Sequence, residues 1–314
     1  LADLTLLEAA KHSKSALEAF VTKIIVESSP ILEYLPMKTI TGPALRYHRE
    51  TSLGSIDFRG VGGTYTPDTG VINPLFEPLV IMGGEVFIDN FDIATMSGLL
   101  DLKTSKFKMK ARQAGFKFSE SFFEGDTAVD PYSFDGIRKR LTGNQKIAFS
   151  TTGAKLSTSA TNTFAALDAL IDAVVGDDAD KVLFMNTVSR RAITALVRAT
   201  TGPFTMSIQQ DAFGKQQRAY SGIPIRLIRR EDDASSFFGY DEDPGDGASD
   251  TCSIYCVRFG SEYVHGIQHS ALPSVKDFGE IEARPGHLGR IEWYCGVAMK
   301  HPRSAARMYG ILTE

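Results

Sequence analysis

The sequence predicts an α+β fold. Three features carry that reading: a helical N-terminal segment, a stretch of short β-type runs broken by Pro and Gly, and a passage from helix–strand alternation into successive strands at the end. At 314 residues the chain exceeds the usual size of one domain, so a one-domain or a two-part architecture fits. Its 43% apolar content supplies a sizeable core, and 23% charged residues is an ordinary globular value.

Composition also excludes several classes. A formal net charge of −4 gives no basic excess of the kind that sequence-specific nucleic-acid readers carry. Three cysteines cannot staple so long a chain, and the odd count argues against a disulfide framework. No apolar run approaches the roughly 18 residues of a membrane span. The N-terminus lacks the basic region and apolar core of a signal peptide. The expectation is a soluble, intracellular chain, beginning at Leu1 rather than at Met.

Thr5-Leu6-Leu7-Glu8 fits a capping box, with Thr5 as N-cap and Glu8 reaching back. Leu6, Ala10, Leu17, Phe20, Ile24 and Ile25 then recur at a helical period until Ser28-Ser29-Pro30. Residues 36–84 differ. Five prolines and eight glycines separate short β-type runs such as "ALRYHRE", "SIDFRG" and "PLVIMGGEVFI". The first two are polar on both faces and cannot bury a core, so the spacing predicts a long hairpin over 42–80 that projects from the body. Loops this long are uncommon without a function.

From Asp92 the pattern turns helical to Phe123–Gly125, with Leu100, Phe107, Ala111, Ala114 and Phe118 on one face. Lys103, Lys106, Lys110 and Lys117 share another face, and residues 103–117 hold six basic residues and no acidic one. Such a stripe reads as a solvated face or as a face toward phosphates. Residues 161–176 and 187–200 predict helices around a buried strand at 181–186, and 222–230 alternates as a strand. Residues 231–250, with eight acidic residues and no basic one, predict a solvated loop. From 252 to 312 the text reads as successive strands.

Two constellations invite a chemical reading. "FFEGDTAVDPYSFDGI" packs Glu124, Asp126, Asp130 and Asp135 together. The acids do not alternate, no closing Glu follows and Pro131 interrupts, so an EF-hand loop is not supported. Catalytic carboxylates would need a rigid scaffold at a defined gap. The simpler expectation is a helix stop at Gly125 followed by solvated acids. Cys252-x3-Cys256 and His265-x3-His269 resemble a zinc finger on paper. Strand text between the cysteines would hold their sulfurs roughly 13 Å apart, too far to share an ion. Buried thiols and surface histidines are expected instead. No phosphate loop, dinucleotide fingerprint or nucleophile elbow occurs. No catalytic residue, metal or cofactor is therefore assigned.

The order of parts resembles the major capsid proteins of tailed bacteriophages, the Hong Kong 97-like fold shared with encapsulin shells. "EGDTAVDPYSFDGI" resembles the family's segment after the spine helix, with Gly125, Asp126, Phe134 and Gly136 in corresponding places. "YSGIPI" (220–225) resembles the stretch before its acidic loop, and "ARMYGI" (306–311) its closing strand. The resemblance implies an N-terminal arm over 1–35 and an E-loop projection with its base over 36–90. It implies a spine helix and peripheral domain over 91–150, an axial domain over 151–260 and returning strands over 261–314.

It further implies a non-enzymatic subunit that assembles with itself, as hexamers and pentamers, into an icosahedral virion shell. That shell would form in the host cytoplasm, undergo procapsid maturation and enclose double-stranded DNA without reading its sequence, with no membrane. Scaffold, portal, prohead protease and decoration proteins are the implied helpers, and a Leu1 start is similar to members trimmed by that protease. An encapsulin-type compartment is the alternative, and a soluble α+β enzyme a distant one. Arg46, Arg49, Asp57 and Arg59 are expected to make polar contacts to a neighbouring subunit, and Val71, Ile72, Leu75 and Phe76 apolar ones. Lys103, Lys106, Lys110 and Lys117 are expected to face packaged DNA. The isopeptide weld of some members starts from an E-loop Lys; here none lies between Lys38 and Lys103, so it is expected to be absent.

Overall fold

The computed structural model describes residues 4–11, 16–52, 54–96, 102–199, 206–210, 216–230, 236–237, 239–282 and 284–313. The chain opens with β1 (Leu4–Thr5), α1 (Leu6–Lys11), α2 (Ala16–Ser28) and β2 (Pro36–Thr39). β3 (Ala44–Ser52) and β4 (Val71–Pro78) form a hairpin, followed by β5 (Val80–Asp89), α3 (Asn90–Met96) and the long α4 (Leu102–Glu124). Next come α5 (Ile137–Arg140), β6 (Lys146–Ala148), α6 (Ala160–Asp172), β7 (Lys181–Met185) and α7 (Thr187–Ala199). The strands β8 (Met206–Gln210), β9 (Gln216–Tyr220), β10 (Ile223–Leu227) and β11 (Thr251–Arg258) follow. The chain ends with β12 (Val264–Gln268), β13 (Ser274–Ile281), β14 (Arg284–Met299) and β15 (Ala305–Leu312).

Two sheets organise these elements. A six-stranded sheet runs β1-β2-β12-β14-β13, with β5 on the other edge of β14. A seven-stranded sheet runs β6-β15-β11-β7-β10-β9-β8. Among the described residues, β3 and β4 pair only with each other. At the N-terminus, Glu8 reaches back to the Thr5 amide at 3.3 Å, as the capping pattern predicts. Thr5 also pairs with Pro36 as part of β1, so the arm is stitched to the sheet as well as helical. Leu100 lies outside the described residues.

The spine of the body is α4. Phe107, Ala111, Phe118 and Phe122 are buried on one side, as the period requires. Gly115 lets α4 approach α2 closely: a Cβ there would sit 2.7 Å from the Ile25 carbonyl oxygen. Phe118 stacks on Trp293 of β14 at 5.1 Å between centroids, and Phe123 meets Phe184 of β7 and Tyr255 of β11 at 5.4 and 5.0 Å. One aromatic cluster thereby joins the two sheets. β7 and β11 are buried on both faces and read by parity. Val182, Phe184, Tyr255 and Val257 enter this core, while Leu183, Met185, Cys252, Ile254 and Cys256 enter a second core under α6 and α7. Each such fully buried large side chain stabilises the fold by roughly 1.5–3 kcal/mol.

Three expectations are corrected. His265 is fully buried in β12, not at the surface, because that strand is the inner neighbour of β2 and β14. Residues 231–250 are not simply a solvated loop: Glu242 is 3% exposed and Phe237 is buried. The acids after α4 are not merely solvated, and their partners are described below. Cys252 and Cys256 lie in the seven-stranded sheet and His265 in the six-stranded one, so no shared ion joins them. Among the described residues, no group of three or more His, Cys, Asp or Glu is placed to hold a metal. No described helix is long and apolar enough to cross a membrane.

Candidate assembly interface

The hairpin is anchored at its base and bare at its tip. Tyr47 of β3 is buried, and its hydroxyl lies 3.1 Å from both Glu77 Oε1 and the Met299 carbonyl. Burial, then the neighbouring Glu77 charge, pushes the phenol up to about 12. Arg49 Nε donates to the Lys300 carbonyl at 2.9 Å, and its Nη2 donates to that of Met299. Arg140 of α5 is the central tie. It grips the Glu77 carboxylate with both terminal nitrogens, Nη2 to Oε2 at 2.8 Å. It also donates to the Asp135 carbonyl at 2.8 Å and to that of Val297 at 3.1 Å. One guanidinium thus fastens β4 to β14 and to the loop that follows α4. Two parallel charge-assisted bonds make this the strong kind of ion pair.

Beyond that base the chain lacks cover. Residues 54–70 are exposed throughout, Ile56 at 98%, and Phe58, Val61 and Tyr65 stand out beside it. Asp57 and Arg59 lie here; Arg59 Nη1 donates to the Gly63 carbonyl at 3.0 Å and its guanidinium sits 5.2 Å from the Tyr65 ring centre. On the strands, Val71, Ile72 and Phe76 are exposed and Leu75 is half-buried. Arg46 covers Phe76 with its guanidinium at 5.5 Å. Of the residues expected to reach a neighbour, Arg49 is held by its own chain, while Arg46, Asp57, Arg59, Val71, Ile72 and Phe76 present exposed surface. Ordering costs about 1–2 kcal/mol per residue, which so little internal packing does not offset.

The four α4 lysines expected to face DNA do not share one fate. Lys103 pairs with Asp277 of β13, and Lys117 lies 3.6 Å from Glu120. Lys106 and Lys110 form no ion pair among the described residues. Lys110 and Lys117 edge a cavity of about 150 Å³ floored by Ile25, Met82 and Trp293.

The carboxylate-rich loop is a folded joint. Gly125 and Gly136 lie back to back, and a Cβ on Gly125 would meet the Phe134 carbonyl oxygen at 2.3 Å. Lys139 Nζ reaches Asp126 and Asp135 at 2.7 Å each. The Lys139 hydrogen bond holds Asp126 below the usual carboxylate range. Burial works to raise Asp135, but donors from Lys139 and Thr127 outweigh it and hold that carboxyl low too. Glu124 differs: burial, offset in part by Arg138, lifts it to about 7.

Sequence reading missed the network behind it. Glu242 accepts from Arg307 Nη2 at 2.7 Å and from Ser253, and Arg138 Nη1 lies 3.4 Å from its other oxygen. Arg138 also lies 3.9 Å from Glu124. Glu242 reads as one acid among eight; only the β11–β15 pairing shows that Ser253 and Arg307 converge on it.

No family model and no curated protein matches the chain. Solved structures do. The holo-SrpI encapsulin complex from Synechococcus elongatus is similar with a TM-score of 0.63 at 11% identity, over 90% of this chain and 87% of that one. The capsid of a native GTA particle gives 0.63 at 12% identity, over 90% of each chain. Microbacterium phage Oxtober96 gives 0.61 at 11% identity, over 89% and 90%. The chain has the Hong Kong 97-like fold, the α+β architecture common to phage capsids and encapsulin shells.

Proposed function

We propose that the chain is a shell subunit that assembles through hexamers and pentamers into an icosahedral phage head enclosing double-stranded DNA. The observation that carries this reading is the hairpin. It is braced at its root by Arg140, Glu77 and Tyr47, yet it leaves Ile56, Phe58, Val61 and Ile72 exposed, and Phe76 exposed beside Arg46. A monomer gains nothing from holding apolar groups in water; a neighbour that covers them repays the ordering cost. Val71, Ile72, Leu75 and Phe76 supply the apolar part of that contact, and Arg46, Asp57 and Arg59 the polar part.

Residues 1–35 serve as the N-terminal arm, 36–90 as the E-loop and its base, 91–150 as the spine helix and peripheral domain and 151–260 as the axial domain, with returning strands over 261–314. Of the four α4 lysines expected to face DNA, Lys106 and Lys110, which have no acid partner among the described residues, are best suited to balance packaged phosphate.

Electron microscopy of the purified chain tests the reading. Closed shells are expected; a monomer of about 34 kDa, with no particles under mild native conditions, overturns it. The compartment reading is supported by the likeness to the encapsulin complex. The contents of particles from the native source separate the two: DNA for a phage head, packed protein for a compartment.

A further inference from the structure

The seven-stranded sheet carries a knot of positive charge that no described acid balances. Arg190 and Arg191 lie early in α7, Arg218 in β9 and Arg229 just past β10. Arg218 Nη1 donates to Thr194 Oγ1, which donates to the Arg190 carbonyl at 2.8 Å, so the Arg218 guanidinium is fixed beside the Arg190 turn. Arg190 Nε is buried with no hydrogen-bond partner. Burial, then the charges of Arg218, Arg229 and Arg191, all bear against Arg190, and no described acid relieves it. None of the four forms an ion pair among the described residues. Arg190 and Arg191 also sit near the positive end of the helix, where cations are disfavoured.

The opposite charge lies elsewhere on the same subunit. Residues 243–250 are braced by their own backbone: Asp243 Oδ1 accepts from the amides of Gly245 and Gly247 at 2.7 and 3.0 Å, and Asp246 Oδ1 from Ala248 at 3.0 Å. Asp243, Asp246 and Asp250 are exposed, and no basic residue occurs in the loop. The loop approaches Thr151, at the β6–β15 end of the sheet. β9 is four strands from β15 in the sheet order, about 19 Å at ~4.8 Å per strand. Complementary patches at separate places on one subunit suit a head-to-tail contact, the kind that closes into a ring.

We infer that the Arg190–Arg191–Arg218–Arg229 cluster receives the acidic 243–250 loop of a second copy of this chain. This rests on the shell reading above and names one charged contact within the ring. Complementary surface charge also speeds encounter and fixes register.

The test is a charge swap in the full chain. Arg190→Glu with Arg218→Glu, and separately Asp246→Lys with Asp250→Lys, should each lower particle yield about tenfold or more. The four changes combined in one chain should restore most of that yield. Arg191→Glu with Arg229→Glu, at two exposed sites, serves where the first pair fails to fold, with circular dichroism as the folding check. Variants that assemble like the unaltered chain overturn the inference, as does a combined variant that stays defective. It is also overturned if the arginine variants form shells normally but lose binding of inorganic phosphate or DNA, which makes the cluster an anion site. Absence of particles from the unaltered chain overturns the shell reading and this inference together.

Discussion

Arg140 holds Glu77 through two parallel hydrogen bonds while its remaining donors hold the carbonyls of Asp135 and Val297. The root of the hairpin, the long strand β14 and the loop after α4 therefore meet on one side chain. A hairpin that leans on a neighbour needs such a root, because force applied at its tip must be carried into the body.

Replacing Arg140 by Ala leaves the partly buried Glu77 charge with no cation and only the Tyr47 hydroxyl as a donor, and takes a donor from two carbonyls. A loss of about 2–4 kcal/mol is expected, because removing one partner of a buried pair costs more than the pair gained. A urea titration measures it. Arg140→Lys keeps the charge but not the fork and should recover only part of the loss. Equal stability of all three chains would refute the tie.

Glu124 makes stability depend on pH. Its folded value is about 7 against an ordinary 4.5, with burial as the main cause. The folded chain therefore keeps a proton that the unfolded chain releases above about 4.5. The stabilisation is fully present below that value and is lost as pH rises through about 7. Thermal unfolding between pH 5 and pH 8 should show a decline of up to about 2 kcal/mol from this group after allowance for solvent screening. Glu124→Gln should flatten that component of the profile.

Gly125→Ala should be among the costliest single changes. The added methyl would lie 2.3 Å from one carbonyl oxygen and 2.5 Å from another, both backbone atoms that cannot step aside. A loss of about 2–4 kcal/mol is expected from overpacking and the broken joint, read as a fall in melting temperature. An unchanged melting temperature would mean that the two glycines do not need their close approach.

Removing residues 50–70 should leave a folded body that cannot form stable shells. Circular dichroism should report retained structure, and electron microscopy should report no particles. Normal assembly of the deleted chain would remove the main physical support for the shell reading. Because the hairpin has no lysine, assembled particles boiled in denaturant should run as single chains. A ladder that survives reducing agent would contradict this.

Lys106→Glu with Lys110→Glu should lower the DNA content of particles from the native source more than it lowers their number. The ratio of ultraviolet absorbance from nucleic acid to that from protein reads this directly. Reversing Lys103 instead should also disturb its pair with Asp277, so the two lesions should differ.

Much of this molecule was written in local pattern. The α4 period put Phe107, Ala111 and Phe118 inside, and the alternation of β11 sent Tyr255 to one core and Cys256 to the other. The sequence reading passed over one turn: Ser221-Gly222 joins β9 to β10 with positive φ at both positions, as a two-residue hairpin turn demands. The hairpin could be read because its polar and Pro-broken text cannot make a core. Periods of two and of 3.6 residues are properties of neighbours along the chain, so these features needed nothing distant.

Tertiary structure alone decided the fate of the charges. Nothing local distinguishes buried Glu242 from exposed Asp243, or Lys103 with its acid from Lys106 without one. A carboxylate is buried when cations arrive from elsewhere, here Arg138 and Arg307, which are 104 and 65 residues away along the chain. Burial of His265 likewise follows from β2 and β14 closing over β12. Charge pairing is set by distances across space, and those are fixed only once both sheets have closed on α4.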